Sequence, residues 1–357
     1  MKKFKLLIIL LLIASLLGCT AVPAPISTQA DPAESAATAG TSVSSASSLL
    51  TVHYLDVGQA DCMLLECDGE YLLIDGGNVD DSSLVVSYLE QTGVETLSAV
   101  VCSHAHEDHV GGLAGVLSVF PTEAVYAPTR TYSSRCFDDF LYYTDQQGLE
   151  VQIPNPGDTL TLGDTHITVL GPVTSYAETN DTSIILLAQH GENRFLFTGD
   201  METTAEADLL DTGTDLRADV LKVGHHGSST STSYRFLYEV DPDYAVIPVG
   251  TDNTYGHPHD EVVSRLYDAG VPIFRTDLLG TILAVSDGQE ITLTWSRSDV
   301  APDNAAEAEL VYIGNINSLK VHLPSCTGLP EEKNRITFPS LEEALDAGYT
   351  PCGRCME

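Results

Sequence analysis

Short apolar runs, several of them alternating with polar residues, predict that the globular part of the chain begins with strands. Residues 50–57 read Leu-Thr-Val-His-Tyr-Leu-Asp-Val, and this alternation predicts a half-buried strand. Asp68 and Gly69, between the next two apolar runs, are typical of a hairpin turn. Further strands are predicted at residues 62–67, 71–74 and 97–102, and an amphipathic helix at residues 82–95.

The chain then alternates strands with helices, separated by Pro and Gly turns. Strands are predicted at residues 124–127, 151–153, 159–162, 166–170, 184–188, 195–200, 219–223 and 244–249. Helices are predicted at residues 137–148, 202–210 and 260–268. Hairpins followed by strand–helix units are typical of an α/β fold in which helices cover packed sheets. The pattern fits a four-layer αββα sandwich.

The strongest chemical signal lies in residues 103–112, which read Ser-His-Ala-His-Glu-Asp-His-Val-Gly-Gly directly after a predicted buried strand. Side chains at i and i+2 of extended backbone point the same way, so His104 and His106 can reach one ion. Asp108 and His109 then enter a helix and can hold a second ion. Two metals with mixed nitrogen and oxygen ligands are suited to activating water against a phosphoryl or acyl centre.

This H-x-H-x-D-H sequence at the end of a strand resembles the signature of the metallo-β-lactamase superfamily. Three further motifs resemble the extracytoplasmic domain of ComEC, the DNA-uptake channel protein of competent bacteria, and its free-standing relatives. They are Y-L-D-V-G-Q-A-D at residues 54–61, L-L-I-D-G-G at residues 72–77 and N-T-Y-G-H-P at residues 253–258. Ala60 departs from the usual G-Q-G-D of that group. The resemblance implies an αββα sandwich with two divalent ions, zinc or manganese.

The resemblance also implies a ligand set. His104 and His106 would hold the first ion, and Asp108, His109 and His225 would hold the second. Asp200, which ends a predicted strand, would bridge the two ions. His225 is predicted as the ligand and His226 as an acid or substrate contact, but the sequence leaves the choice between these neighbours open.

Three residues are predicted to act in catalysis: Asp108, His226 and His257. His257 would protonate the leaving oxygen or grip a phosphate, as a histidine with a pKa near neutrality can. By the resemblance, Asp75 orients a ligand histidine. Asn180 or Asp181 stands where many hydrolases of the superfamily have a third histidine, which implies a weak or open position at the first ion. The residues predicted to orient ligands or contact substrate are Asp56, Asp61, Asp75, Asn180, Ser183 and Ser228.

The N-terminus predicts export and attachment to a membrane. Residues 1–19 combine three lysines, an apolar run and Leu-Leu-Gly-Cys, a signal peptide whose end resembles a bacterial lipobox. The implied lipid site is Cys19. Residues 20–48 are rich in Ala, Ser, Thr and Pro and predict a flexible tether. The predicted location is the outer face of the cytoplasmic membrane of a Gram-positive cell.

The C-terminus predicts a small zinc module after the main domain, residues 49–298. Residues 299–309 form an acidic linker, and residues 310–357 contain H-x3-C followed by C-x2-C. This spacing is typical of structural zinc. The predicted ligands are His322, Cys326, Cys352 and Cys355. The module resembles the zinc-binding domain of the Ada repair protein, with His322 in place of the methyl-accepting cysteine.

Four other cysteines remain in the predicted main domain: Cys62, Cys67, Cys102 and Cys136. Cys62 and Cys102 lie in apolar strand-like runs and are predicted to be buried thiols. The pairing of the four cannot be assigned from the sequence.

The net charge of −35 opposes non-specific binding of nucleic acid over the whole surface but allows it at a metal site. We therefore predict a membrane-tethered, metal-dependent phosphodiesterase or nuclease that uses a metal-bridging hydroxide, with nucleic acid as the foremost substrate class and DNA as one candidate. One alternative is a phosphocholine or other small-molecule phosphoester esterase of the cell envelope. Another is a non-catalytic envelope binding protein with structural metals. No transmembrane channel is predicted, and the sequence identifies no protein partner.

Overall fold

The computed structural model describes residues 48–302, 312–323, 326, 328–339 and 341–356. The predicted signal peptide, Cys19, the tether up to residue 47 and residues 303–309 of the predicted linker lie outside the described residues. No helix within the described ranges combines the length and the apolar character needed to span a membrane.

Fifteen strands build the main domain. They are β1 (Leu50–Tyr54), β2 (Met63–Cys67), β3 (Glu70–Ile74), β4 (Ala99–Val101), β5 (Val125–Tyr126), β6 (Val151–Gln152), β7 (Thr159–Leu162), β8 (Thr165–Gly171), β9 (Ile185–His190), β10 (Asn193–Phe197), β11 (Val220–Lys222), β12 (Tyr244–Ile247), β13 (Ile273–Arg275), β14 (Ile282–Ser286) and β15 (Ile291–Trp295). They form an eight-stranded sheet in the order β15-β14-β1-β2-β3-β4-β5-β6 and a seven-stranded sheet in the order β13-β12-β11-β10-β9-β8-β7.

Helices cover the outer faces of both sheets. They are α1 (Ser82–Thr92), α2 (Glu107–Val110), α3 (Leu113–Val119), α4 (Arg135–Gln146), α5 (Thr203–Asp211), α6 (Tyr234–Val240) and α7 (Asp260–Asp268). The short helix α8 (Thr276–Leu279) instead contributes Leu279 to the core between the sheets. One apolar core lies between the sheets, a second lies beneath α1, α3 and α4, and a third lies beneath α5, α6 and α7. The four-layer αββα sandwich predicted from the sequence is confirmed.

Strand β2 shows why the central strands are largely apolar. Met63 and Leu65 pack into the core between the sheets, whereas Leu64 points to the helices. Since successive side chains of a strand point to opposite faces, the part of a strand that is covered on both faces is apolar at successive positions, and the half-buried Glu66 lies near the end of β2.

The functional residues follow the carboxyl ends of parallel strands. Strands β10, β11 and β12 pair in parallel, as do β3 and β4. Their carboxyl ends therefore meet at common edges, where loops of an open α/β sheet form binding sites. Asp75 follows β3, Asp200 follows β10, and the two histidines 225 and 226 follow β11.

Some elements were not predicted from the sequence. Helix α6 and strands β13, β14 and β15 are present, and the first strand ends at Tyr54 rather than at residue 57. Strand β14 pairs with β1, so residues more than 200 positions apart complete the first sheet.

Cys62 and Cys102 are buried thiols, as predicted, and Cys67 and Cys136 are also buried and free.

The C-terminal module contains four strands and one helix. They are β16 (Tyr312–Asn315), β17 (Lys320–His322), β18 (Arg335–Phe338), β19 (Thr350–Pro351) and α9 (Leu341–Asp346), with the sheet order β18-β16-β17-β19. Its small core includes Val321, Phe338 and Tyr349 and extends to Tyr234 of α6. The hydroxyls of Tyr234 and Tyr312 are hydrogen-bonded, so the module packs on the main domain at the start of α6.

Candidate metal centre

His109 is oriented by a carboxylate. Its Nδ1 donates to Asp75 at 2.8 Å, and Asp75 also accepts hydrogen bonds from the backbone N–H and hydroxyl of Ser103, each at 2.7 Å. Asp75 is fully buried and has a φ of +59°, a conformation that Asp tolerates better than most residues. This arrangement leaves Nε2 of His109 facing Asp200 at 3.3 Å. The structure therefore places Asp75 where a residue that orients a ligand histidine must lie.

His226 is oriented by the backbone. Its Nδ1 donates to the carbonyl oxygen of Pro248 at 2.9 Å. Its Nε2 then lies 3.4 Å from Asp108 and 3.7 Å from Asp200. Both histidines thus direct Nε2 towards the same carboxylates.

The structure brings four side chains together as a possible metal site: Asp108, His109, Asp200 and His226 have ligand atoms within 4.8 Å of one another. Nε2 of His109, Nε2 of His226 and Oδ1 of Asp200 are buried and have no hydrogen-bond partner among the described residues. Buried polar atoms normally have partners. Two imidazole nitrogens and two carboxylates that converge in this way fit a divalent zinc or manganese ion.

The charges around this point also favour a cation. The carboxylates of Asp108 and Asp200 lie beside the two imidazoles, and Asp200 is 1% exposed. Burial alone would lower the pKa of His226, but Asp200 and Asp61 raise it to about 10. Asp200 and Asp75 raise the pKa of His109 in the same way against the effect of burial. The pocket therefore stabilises positive charge strongly, and a metal ion can supply that charge.

The predicted first-ion residues also lie near Asp200. Nε2 of His104 is 3.9 Å from Asp200 and 3.0 Å from Nδ1 of His106. Burial and the neighbouring His109 hold the pKa of His104 well below its usual value, so its imidazole is neutral and able to bind a metal. Asn180 has a buried Oδ1 without a hydrogen-bond partner among the described residues, and it lines the adjoining cleft. It can therefore offer an oxygen at the position that lacks a histidine.

The geometry assigns the two neighbouring histidines differently from the sequence prediction. His225 and His226 have φ values of +49° and +51°, and this turn sends their side chains apart. Both histidines line the cleft, and Nε2 of His225 lies 3.6 Å from Asp200 while its Nδ1 lies 3.2 Å from Glu202. Only His226 belongs to the cluster of four converging ligand atoms, so the geometry favours His226 over the predicted His225 as the second-ion ligand, and the assignment stays a prediction.

Sequence reasoning missed a buried lysine, Lys222. Its side chain is 0% exposed, and its ammonium group contacts the carboxylate of Asp61 and donates to the carbonyl oxygen of Gly199 at 2.8 Å. It also lies 3.8 Å from Asp200. Burial would raise the pKa of Asp61, but Lys222 and His226 lower it below the usual value. The sequence signal for this buried lysine was its position within the apolar run Val220 to Val223.

Sequence reasoning also missed Gln59, although this residue lies within the motif at residues 54–61. Its Oε1 accepts a hydrogen bond from the backbone N–H of Gly250 at 3.1 Å, so its Nε2 is the group that donates to Nδ1 of His257 at 3.3 Å. This arrangement places the proton of neutral His257 on Nε2. Burial and the nearby His225 lower the pKa of His257 to about 4. The neutral ring can donate one hydrogen bond to a phosphate, which favours the predicted gripping role over the predicted acid role.

These residues surround a cleft of about 340 Å³. Its lining residues are Gln59, His106, Glu107, Asp108, Asn180, Asp200, His225, His226, Tyr255 and His257. The cleft therefore gives a substrate direct access to both predicted ion positions.

The structure also places three further residues of the predicted set. Ser183 accepts a hydrogen bond from the backbone N–H of Asp200 at 3.0 Å and so can position the predicted bridging carboxylate. Asp56 forms an ion pair with Arg297 at 3.0 Å and is not among the residues that line the cleft, so its role stays a prediction. The hydroxyl of Ser228 is hydrogen-bonded to Thr230 at 2.9 Å within the turn, and its role also stays a prediction.

The C-terminal module contains a second possible metal site. His322, Cys326, Cys352 and Cys355 have ligand atoms within 4.8 Å of one another. Strands β17 and β19 are neighbours, so they bring the two ends of the module together. One imidazole and three thiols fit tetrahedral zinc.

Comparison with known proteins identifies the family of the chain. A family model described as the metallo-beta-lactamase superfamily matches residues 55–251. ComE operon protein 3 of Bacillus subtilis is 30% identical over 250 residues, which cover 65% of this chain and 32% of that protein. Recombination protein 2 of Haemophilus influenzae is 30% identical over 260 residues, which cover 70% of this chain and 31% of that protein.

The matched part of the chain thus spans about a third of the length of these relatives. Among solved structures, the metallo-beta-lactamase fold protein YhfI of Bacillus subtilis has a TM-score of 0.48 and 16% identity. That match covers 67% of this chain and 100% of YhfI. Since the family model covers more than half of the 357 residues, the chain belongs to the metallo-β-lactamase superfamily, and it is similar to ComEC-type competence proteins.

Proposed function

We propose that the protein is a two-metal phosphodiesterase that acts on nucleic acid outside the cytoplasmic membrane. The observation that carries this proposal is the convergence of Asp108, His109, Asp200 and His226 beside an open cleft. Bound divalent ions at such a site supply an activated water and neutralise charge that develops on a phosphoryl group.

The residues of the chain hold these groups in place and contact the substrate. His104 and His106 face the first ion position, while His226 takes the ligand position at the second. Asp200 lies between them. His257 donates a hydrogen bond from its Nε2–H to a phosphate oxygen, because Gln59 occupies its other nitrogen. His225 lines the same cleft and is the second imidazole available to the substrate.

The choice of nucleic acid rests on the relatives. One of them is named Recombination protein 2, and another relative is Competence protein ComA of Neisseria gonorrhoeae, which is 31% identical over 233 residues. DNA is the substrate that these names suggest. The matched region is about a third of each relative, so we propose no transport activity.

A phosphocholine esterase is the second candidate, and one observation favours it. The residues that line the cleft include Glu107 and Tyr255 but neither Lys nor Arg. A carboxylate and an aromatic ring can together attract a quaternary ammonium group. A choline phosphoester therefore belongs in the same substrate panel.

We also propose that residues 1–19 direct export, that Cys19 carries a lipid, and that residues 20–48 form the tether. For the C-terminal module we propose an Ada-like domain with one structural zinc. His322 replaces the methyl-accepting cysteine of that family, so we propose no methyl transfer. The packing of the module on Tyr234 supports a structural role near the loop that follows His226.

The test is a substrate panel on the full chain loaded with Mn²⁺ or Zn²⁺, with metal content measured on the same preparation. Cleavage of single-stranded or double-stranded DNA, and loss of that cleavage in His106→Ala, are the expected results. His166→Ala is the matched control, because this histidine is exposed on β8 and away from the cleft. Unchanged cleavage in His106→Ala, or hydrolysis of only the choline ester, would refute the proposal. About one ion per chain without any hydrolysis would favour a binding protein.

A further inference from the structure

An exposed aromatic ring stands at the wall of the metal cleft. Tyr255 is 67% exposed, the highest exposed fraction among the large hydrophobic side chains of the described residues, and it lines the cleft. Its ring stacks on His257, with the ring centroids 5.6 Å apart and the planes 26° apart. One face of the ring is therefore supported by His257, while much of the rest is open to a ligand.

The loop that carries Tyr255 is held by hydrogen bonds. The side chain of Asn253 accepts from the backbone N–H of His257 at 3.0 Å and donates to the carbonyl oxygens of Gly250 and His257. Gln59 holds the His257 ring from the other side. A ring held in place before binding loses little conformational entropy when a ligand stacks on it.

The charge of the cleft limits how a polyanion can bind. The side chains that line the cleft include Glu107, Asp108 and Asp200, but no Lys or Arg. The whole chain has a net charge of −35. Ordinary nucleic-acid binding relies on many ion pairs between phosphates and basic side chains. Here the metal ions neutralise only the phosphates at the centre, so the remaining affinity must come from contacts that are not ionic.

We infer that Tyr255 stacks a nucleobase beside the scissile phosphate, and that the substrate is single-stranded nucleic acid. This inference rests on the proposed phosphodiesterase function. Stacking on an aromatic side chain needs an unpaired base, because the bases of a duplex are already stacked on each other. Tyr255 is thus a specificity-determining residue, and His257 serves both as its support and as the donor to the phosphate.

The test compares an intact tetranucleotide with abasic versions that have the same phosphate backbone and lack the base at one position each, for every position in turn. Binding is measured by calorimetry with nuclease-resistant phosphorothioate versions, and cleavage with the natural phosphodiesters, on the metal-loaded full chain. The variants are Tyr255→Ala and Tyr255→Phe. Tyr238→Ala is the matched control, since Tyr238 is 53% exposed and does not line the cleft.

Stacking contributes about 1–3 kcal/mol per base, which converts to about a 5- to 150-fold difference in affinity. We expect the wild-type protein, Tyr255→Phe and Tyr238→Ala to prefer the intact oligonucleotide by this factor at one position. Tyr255→Ala should lose the preference. A fourfold rise in salt concentration should weaken binding by less than about tenfold, since few phosphates are neutralised.

Equal binding of intact and abasic oligonucleotides by the wild-type protein would overturn the inference, and so would undetectable binding of both. A preference that survives in Tyr255→Ala would overturn it as well. Base-dependent binding without any cleavage would support the stacking site and refute the phosphodiesterase. Cleavage without base preference would support the phosphodiesterase and refute the stacking site. The failure of the stacking inference is therefore distinguishable from the failure of the proposed function.

Discussion

Replacement of Lys222 by methionine tests whether the buried ammonium group stabilises the region beneath the metal centre. Lys222 is 0% exposed, and its charge is balanced by Asp61, which is also 0% exposed. Methionine has a similar length and no charge, so Lys222→Met leaves the Asp61 carboxylate buried without its main cation. Removal of one partner from a buried ion pair costs about 3–5 kcal/mol.

This free energy converts into a measurable shift of the thermal midpoint. A change of 1 kcal/mol shifts the midpoint by about 2–4 °C in a domain of this size, so Lys222→Met should lower it by about 6–20 °C. Differential scanning calorimetry or fluorescence on metal-loaded protein measures the shift. Lys333→Met is the control, since the Lys333 side chain is 76% exposed, and it should change the stability by no more than about 0.5 kcal/mol.

The double variant Lys222→Met with Asp61→Asn separates the charge effect from packing. If the destabilisation comes from an uncompensated carboxylate, removal of that charge should restore a large part of the lost stability. A midpoint for Lys222→Met within about 2 °C of the wild type would refute the reasoning. So would a double variant whose destabilisation equals the sum of the two single effects, because coupled neighbours do not add.

Two further predictions concern metal content and pH. Metal content is measured by inductively coupled plasma mass spectrometry. His226→Ala should lose about one ion per chain, His225→Ala should lose less, and Cys352→Ser should lose about one zinc. A greater loss in His225→Ala than in His226→Ala would reverse the ligand assignment. Burial raises the pKa of Glu206 from 4.5 to about 7. Between those pH values the folded state holds a proton that the unfolded state has released, so this group makes stability fall as pH rises. Thermal midpoints of Glu206→Gln should therefore fall less than those of the wild type from pH 5 to pH 7, and parallel curves would contradict this prediction.

Glu206 is relevant to the metal centre because it contacts the loop that follows His226. Its carboxyl group accepts hydrogen bonds from the backbone N–H groups of Thr232 and Ser233. Arg265 donates to the carbonyl oxygens of Ser231 and Thr232, each at 3.0 Å. These contacts hold the loop that leads from His226 to α6. The C-terminal module packs on Tyr234 of α6.

Local sequence patterns determined the fold class and the location of the metal centre. Alternation and apolar runs depend on which faces of a strand are buried, so they predict strands without knowledge of their partners. The spacing of His104, His106, Asp108 and His109 after a strand similarly predicts metal binding, because a few neighbouring residues supply most of the ligands. The cysteine and histidine spacing of the C-terminal module is a signal of the same local kind.

Only the tertiary structure favours His226 over His225 as the ligand. The choice depends on the carbonyl oxygen of Pro248, which is remote in sequence and orients His226 towards Asp108. The position of Asp56 was likewise set by a distant partner, Arg297.

The roles of Lys222 and Gln59 also depended on tertiary contacts. Lys222 meets Asp61 across the two sheets, and Gln59 meets His257 from a loop almost 200 residues away. A side chain that acts through a long-range contact leaves no periodic pattern in the sequence. Burial and distance, which exist only in the folded chain, therefore decided which polar residues belong to the site.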